Sequence, residues 1–216
     1  MTTTALITGG TSGIGRAVAN KLARLDVHVL VVGRNAERGE RTITEIRSAG
    51  GQADFIASDL RDATSARDVA KRAIELGDGH VDILINNAGI YPFGPTHETS
   101  EELFDNVYSL NVKVPYFLVA ELAPLMAKRG KGAIVNLSTM VADYGMSGTS
   151  VYGSSKAAIN LLTKTWAASC SRPSPKEPVP SVRVGPGLTT LTRTPLGPYS
   201  AAHVFVRRLI AALLEP

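Results

Sequence analysis

The 216 residues contain a single cysteine, Cys170, so no internal disulfide can frame the fold. No uninterrupted run reaches the roughly 18 apolar residues a membrane span needs, and no membrane association is expected. The start, Met1 to Thr4, has no basic stretch ahead of its first apolar run, so no signal peptide is expected. With so little cysteine, a cytoplasmic location is expected. His28, His80, His97 and His203 are scattered without ligand spacing, and no metal site is expected. There is no block of Lys and Arg interleaved with aromatics, which argues against a nucleic-acid footprint. Internal repeats are absent, and no flexible linker precedes residue 169.

What is present is ample apolar material, 44% of residues, with 19% charged, enough for one sizeable domain. Net charge is +4, and its placement is uneven. Residues 1–168 hold 17 basic and 17 acidic side chains, whereas 169–216 hold six basic ones against Glu177 and Glu215. Eight of the 12 prolines also fall after residue 169. The chain therefore divides into a core, 1–168, and an atypical Pro-rich segment, 169–216.

Within the core, short β-branched runs alternate with amphipathic stretches. Strands are expected at Thr4–Thr8, Val27–Val32, Ala53–Ala57, Val81–Asn86 and Gly132–Ser138. Helices are expected from Gly13 to Leu25, from an Asn35 cap to about Ala49, and over Ala63–Leu76. One or two more should cover 100–129, with Pro115 at a helix start and Pro124 marking a kink or an early end. A long helix follows from Val151 to about Ala168. Such alternation builds a doubly wound parallel sheet in a three-layer α/β/α domain. These folds bind ligands outside the carboxyl ends of their strands.

The first strand end reads Thr8-Gly9-Gly10-Thr11-Ser12-Gly13-Ile14-Gly15. Glycines there permit a tight turn and a close approach of backbone N–H groups to a pyrophosphate. The helix that opens at Gly13 adds the positive end of its dipole. The spacing Thr-Gly-x-x-x-Gly-Ile-Gly resembles that of the short-chain dehydrogenase/reductase family. Further motifs match in order: Asp59-Leu60 after the third strand, Asn86-Asn87-Ala88-Gly89 after the fourth, Asn111, Ser138 at the fifth, and Tyr152-Gly-Ser-Ser-Lys156. The resemblance covers roughly residues 4–168 and implies a Rossmann-type fold. It also implies that Gly9, Thr11, Ser12, Gly13, Ile14, Gly15, Asp59, Leu60, Asn87, Ala88 and Gly89 contact a nicotinamide dinucleotide.

Tyr152 and Lys156 lie four apart on one helix and so share a face. A phenol titrates near 10; an adjacent ammonium and an oxidised nicotinamide should lower that value and let Tyr152 act as general acid and base. The resemblance further implies that Lys156 holds the nicotinamide ribose, that Ser138 positions the substrate oxygen, and that Asn111 holds a water in a proton relay. The expected reaction interconverts a ketone or aldehyde and an alcohol, with the cofactor carrying the hydride. The substrate is a small carbonyl or alcohol, and the helices over 100–129 and 151–168 suggest a homodimer or homotetramer.

An NAD-selective site places an acid at the end of the second strand. Gly33 stands there instead, followed by Arg34, which can pair with a 2′-phosphate, so NADP(H) is expected over NAD(H). Tyr91, Pro92 and Phe93, with Met140, Tyr144 and Met146, are candidates to line the substrate mouth.

After the Tyr/Lys helix the resemblance weakens. Ser181–Val184 reads as a sixth strand, and Gly185-Pro186-Gly187 follows at once, with Pro186 and Gly187 matching the family's cofactor-contacting Pro-Gly. No seventh strand is evident, and Val204–Leu214 reads as an amphipathic helix. The last strand and substrate lid are thus expected to be incomplete. Two readings of the segment stay open, a remodelled lid or a stretch of shifted reading frame. The functional alternative is a catalytically impaired or non-catalytic NADP(H)-binding protein on the same scaffold.

Overall fold

A computed structural model of the chain describes residues 2–170. The expected sixth strand, Pro186, Gly187 and the helix at 204–214 lie outside the described residues.

Five strands, β1 (Thr4–Thr8), β2 (His28–Gly33), β3 (Ala53–Ala57), β4 (Ile83–Asn86) and β5 (Ala133–Asn136), form one sheet in the order β3-β2-β1-β4-β5. Every pairing is parallel. The helices are α1 (Gly13–Ala23), α2 (Ala36–Ser48), α3 (Ala63–Leu76), α4 (Glu101–Tyr108), α5 (Val114–Arg129) and α6 (Ser150–Cys170). Strand residues alternate between two apolar layers, because side chains leave a strand with period two. Ala5, Ile7, Val29, Val31, Ile83 and Ile85 pack with α1 and α2 through Val18, Leu22, Ile43 and Ile46. Leu6, Leu30, Val32 and Leu84 pack with α3 and α5 through Ala66, Ala70, Leu118 and Leu122, and Trp166 of α6 joins that layer. Both faces are covered, which is why the central strands read as unbroken apolar runs.

The helix starts are locally encoded. Asn35 caps α2 by accepting from the Arg38 amide at 2.8 Å. Asp62 and Ser65 form a reciprocal capping box on α3. Some expected boundaries move. β4 opens at Ile83, and β5 ends at Asn136, leaving Ser138 two residues beyond the strand. α5 runs through Pro124 to Arg129, so the early end does not occur. α4 passes into α5 through a wide π-helical turn, Ser109–Lys113. By length and a mean hydropathy of 1.2, the helical stretch Glu101–Arg129 is apolar enough to cross a membrane. Its apolar residues Val114, Leu118, Val119, Leu122 and Met126 are buried against the sheet layer.

The order places β1 beside β4 while their connections run to opposite faces. A crevice therefore opens at the carboxyl ends of these two strands. At the opposite, amino end, Asp82 is 2% exposed and accepts from the Thr4 amide (3.0 Å) and Arg129 Nη1 (2.9 Å). His80 Nε2 lies 3.3 Å and Lys131 Nζ 3.9 Å from the same carboxylate.

Candidate active site

The loop after β1 and the loop after β4 are tied together at the crevice. Thr8 Oγ1 accepts from the amides of Asn87 and Ala88, each at 3.0 Å, and donates to the Ile85 carbonyl. Asn87 Nδ2 donates back to the carbonyls of Thr8 (2.9 Å) and Gly9 (3.1 Å). Asn87 thus braces the glycine loop from below. Gly15 is packed so closely on the Gly9 carbonyl and Asn87 that a Cβ could not be inserted. Gly13 is the converse: its φ is +51°, and a Cβ built there would meet nothing within 4 Å. That space lies at the opening of α1, whose first turn holds no acidic residue and whose cap residue, Ser12, makes no side-chain cap bond. An anionic phosphate fits such a cradle.

At the next strand end, Arg34 is exposed and takes no ion pair with any described residue. The position of the missing acid has a steric explanation: a Cβ on Gly33 would come 2.6 Å from Thr11 Cγ2. Thr11 occupies the place where a carboxylate would stand. After β3, Asp59 is exposed, 3.9 Å from Arg61 Nη1, while Leu60 is buried in the core. Arg34 and Asp59 thus follow the carboxyl ends of β2 and β3.

On the reacting side, α6 brings Tyr152 and Lys156 to the crevice. Lys156 is 6% exposed, and its Nζ donates to the Leu137 carbonyl at 2.8 Å. Burial pulls its ammonium down to about 8. Tyr152 differs from the expectation. Burial pushes its hydroxyl above the ordinary value of 10, a hydrogen bond with the Thr139 side chain pulls it back in part, and the neighbouring Tyr91 phenol raises it further. The Lys156 ammonium is turned onto the Leu137 carbonyl.

The hydroxyl paired with Tyr152 belongs to Thr139, and Ser138 is exposed without a hydrogen bond to any described residue. Because β5 stops at Asn136, the direction of side chains 138 and 139 is set by the loop, where strand alternation gives no guidance. Two adjacent hydroxyl residues were the available signal, since only one of them can face the tyrosine.

Asn111 sits in the π-helical turn, 1% exposed. Its Oδ1 accepts from the Ile90 amide (3.0 Å), and its Nδ2 donates to the Ile90 carbonyl (2.9 Å) and to Ser155 Oγ (3.1 Å). Both amide protons are therefore spent on the protein, and the side chain clamps the loop after β4. Gly89 lies between Asn111 and Lys156: a Cβ there would be 3.1 Å from Asn111 Oδ1 and 3.5 Å from Lys156 Nζ. Tyr91 and Phe93 follow in the clamped loop, 78% and 74% exposed. Tyr144 and Met146 line a separate hollow of about 240 Å³ with Gly153, Ser154 and Ala157. Those three α6 positions lie on a different face of the helix from Tyr152 and Lys156.

A parallel sheet with this strand order and a glycine loop opening its first helix defines a Rossmann-type α/β protein. Residues 3–195 match the short chain dehydrogenase family. An uncharacterized oxidoreductase of Thermotoga maritima is 41% identical over 162 residues, 75% of this chain and 63% of that protein. The chain thus spans less than two thirds of that relative's length. A solved short chain dehydrogenase/reductase family protein superposes with a TM-score of 0.72 at 46% identity, covering 77% of this chain and 68% of the other. A metagenomic short-chain oxidoreductase solved with NADP gives 0.74 at 32% identity, covering 77% and 76%. The chain belongs to the short-chain dehydrogenase family.

Proposed function

We propose that the protein is an NADP(H)-dependent oxidoreductase that interconverts a carbonyl compound and an alcohol. The observation that carries this reading is the Tyr152 hydroxyl, hydrogen-bonded to Thr139, with Lys156 one turn away beside Gly89. The family relationship and the NADP complex of a 32% identical structure support it. Gly9, Thr11, Ser12, Gly13, Ile14 and Gly15 would hold the pyrophosphate, Arg34 a 2′-phosphate, and Asp59, Leu60, Asn87, Ala88 and Gly89 the adenosine and ribose side. The bound cofactor would supply the hydride delivered to the carbonyl carbon.

The chain's own groups do the rest. Thr139 donates to the substrate oxygen and holds it against Tyr152. Tyr152 gives its proton to that oxygen as the alcohol forms, and takes it back in the reverse direction. With its titration above 10, Tyr152 carries its proton at neutral pH, as carbonyl reduction requires. Lys156 binds the ribose and returns a proton to the tyrosine. Asn111 is a positioning residue, holding the loop that carries Gly89 and Tyr91. No geometric feature favours a non-catalytic binder, since Thr139, Tyr152 and Lys156 all stand at one site.

As further parts of this proposal, the protein works in the cytoplasm, and residues 1–168 form the binding and catalytic core. It associates as a homodimer or homotetramer, supported by exposed Phe104, Tyr116 and Leu161 on α4, α5 and α6. The test is a fluorescence titration of the 216-residue chain with NADPH and, in parallel, NADH, followed by turnover of simple ketones. Saturable, tighter NADPH binding with turnover that Tyr152→Phe abolishes is the expected result. Tight cofactor binding without turnover of any carbonyl compound would overturn the catalytic reading.

A further inference from the structure

Resting on the oxidoreductase reading, we infer that Tyr91 is a specificity-determining side chain that selects carbonyl compounds bearing a flat apolar group, such as an aryl ring, beside the carbonyl. Its ring centroid lies 6.0 Å from that of Tyr152, at an interplanar angle of 57°. The two rings are tilted and do not stack, and Tyr91 remains 78% exposed next to the proton-transferring hydroxyl. A broad aromatic surface there is unspent, and a flat apolar group laid on it would gain both area burial and ring-to-ring contact.

The wall is also rigid. Asn111 fixes both backbone groups of Ile90, immediately before Tyr91. Beyond it, the Gly94 amide donates to the Gly148 carbonyl at 2.9 Å, and Thr96 Oγ1 donates to Ser150 Oγ at 3.0 Å. The Phe93 ring fills the space where Gly148 would carry a Cβ. Little ordering remains to be done when a substrate arrives, which favours binding.

Charge points the same way. The segments 88–96 and 137–152 contain one charged residue, Asp143, and it lines the hollow on the far side of α6. An anionic sugar acid would find no cationic partner in these two loops, which contain neither Lys nor Arg.

The experiment uses the full chain with NADPH and 1-phenylethanol, a pair that cannot react because both members are reduced. Binding of 1-phenylethanol is compared with that of xylitol by equilibrium dialysis, in the wild type, Tyr91→Phe and Tyr91→Ala. The expected result is tighter binding of the aryl alcohol, weakened about three- to tenfold by Tyr91→Ala and held within about twofold by Tyr91→Phe. An NADPH titration of each variant checks that the exposed substitution leaves the fold intact. Undetectable 1-phenylethanol binding, equal binding in wild type and Tyr91→Ala, or a preference for xylitol overturns the inference. Turnover of acetophenone is read separately. Aryl selectivity without turnover leaves Tyr91 as assigned and ends the oxidoreductase reading; turnover without selectivity does the reverse.

Discussion

The two ends of the sheet handle polar groups in opposite ways. At the amino end, the buried Asp82 accepts from the Thr4 amide and Arg129, with His80 and Lys131 standing beside it. The charge is answered within the chain, and the arrangement ties β1, β4 and the residues flanking β5. At the carboxyl end, Lys156 is nearly as buried and has one carbonyl partner. Asn86 Oδ1 is buried without a hydrogen-bond partner among the described residues. Arg34 and Ser138 are exposed and unpaired among those residues as well. A buried polar atom is thus left without a partner at the end of the sheet where a ligand is expected. The same strands thus carry stability at one end and chemistry at the other.

The sharpest way to separate the ends is to remove one hydroxyl. Tyr152→Phe should lower kcat for carbonyl reduction by about 10²- to 10⁴-fold, with NADPH affinity and urea midpoint little changed. Asp82→Ala should do the opposite. Leaving Arg129 and the Thr4 amide without their acceptor should cost about 3 kcal/mol of unfolding free energy, read from urea titration, while folded protein keeps its NADPH affinity within about twofold. A smaller effect is expected at Arg34→Ala: about tenfold weaker NADPH binding, with NADH binding changed by less than about twofold. An equal loss for both cofactors would remove Arg34 as the selector.

The smallest effect is a slope. Lys156 falls from 10.5 in the unfolded chain to about 8 in the folded one. Between those values the unfolded state binds more protons, so folding stability should rise with pH across that window. Below about 8 both states are charged and the burial penalty is present in full; above 10.5 it vanishes. Lys156→Met should flatten this slope, measured as urea midpoints from pH 7.5 to 10.5.

The scaffold was legible because its signals are local. The run Val29–Val32 reads as a doubly buried strand, and the cap at Asn35 is written in a single residue. The glycine turn ahead of α1 was legible for the same reason. The reacting side was only partly so. Thr139 was missed because β5 ends before it, and a loop has no period from which to read direction. The π-helical turn at Ser109–Lys113 left no mark in the apolar pattern, so Asn111 was found but its clamp on Ile90 was not. The raised titration of Tyr152 depends first on burial, a product of tertiary packing. Asp82 drew no notice because its partners are 47 and 78 residues distant in sequence.

The Thr11 methyl beside Gly33 has an evolutionary consequence. If the second strand end sets the cofactor preference, an acid cannot be gained at position 33 by one substitution without strain. An acid at position 33 has to displace a β-branched side chain with few rotamers to spare. Trimming Thr11 alone would open a small gap and confer nothing new. For the gain of an acid the two positions therefore form an epistatic pair, because the space for one side chain is held by the other.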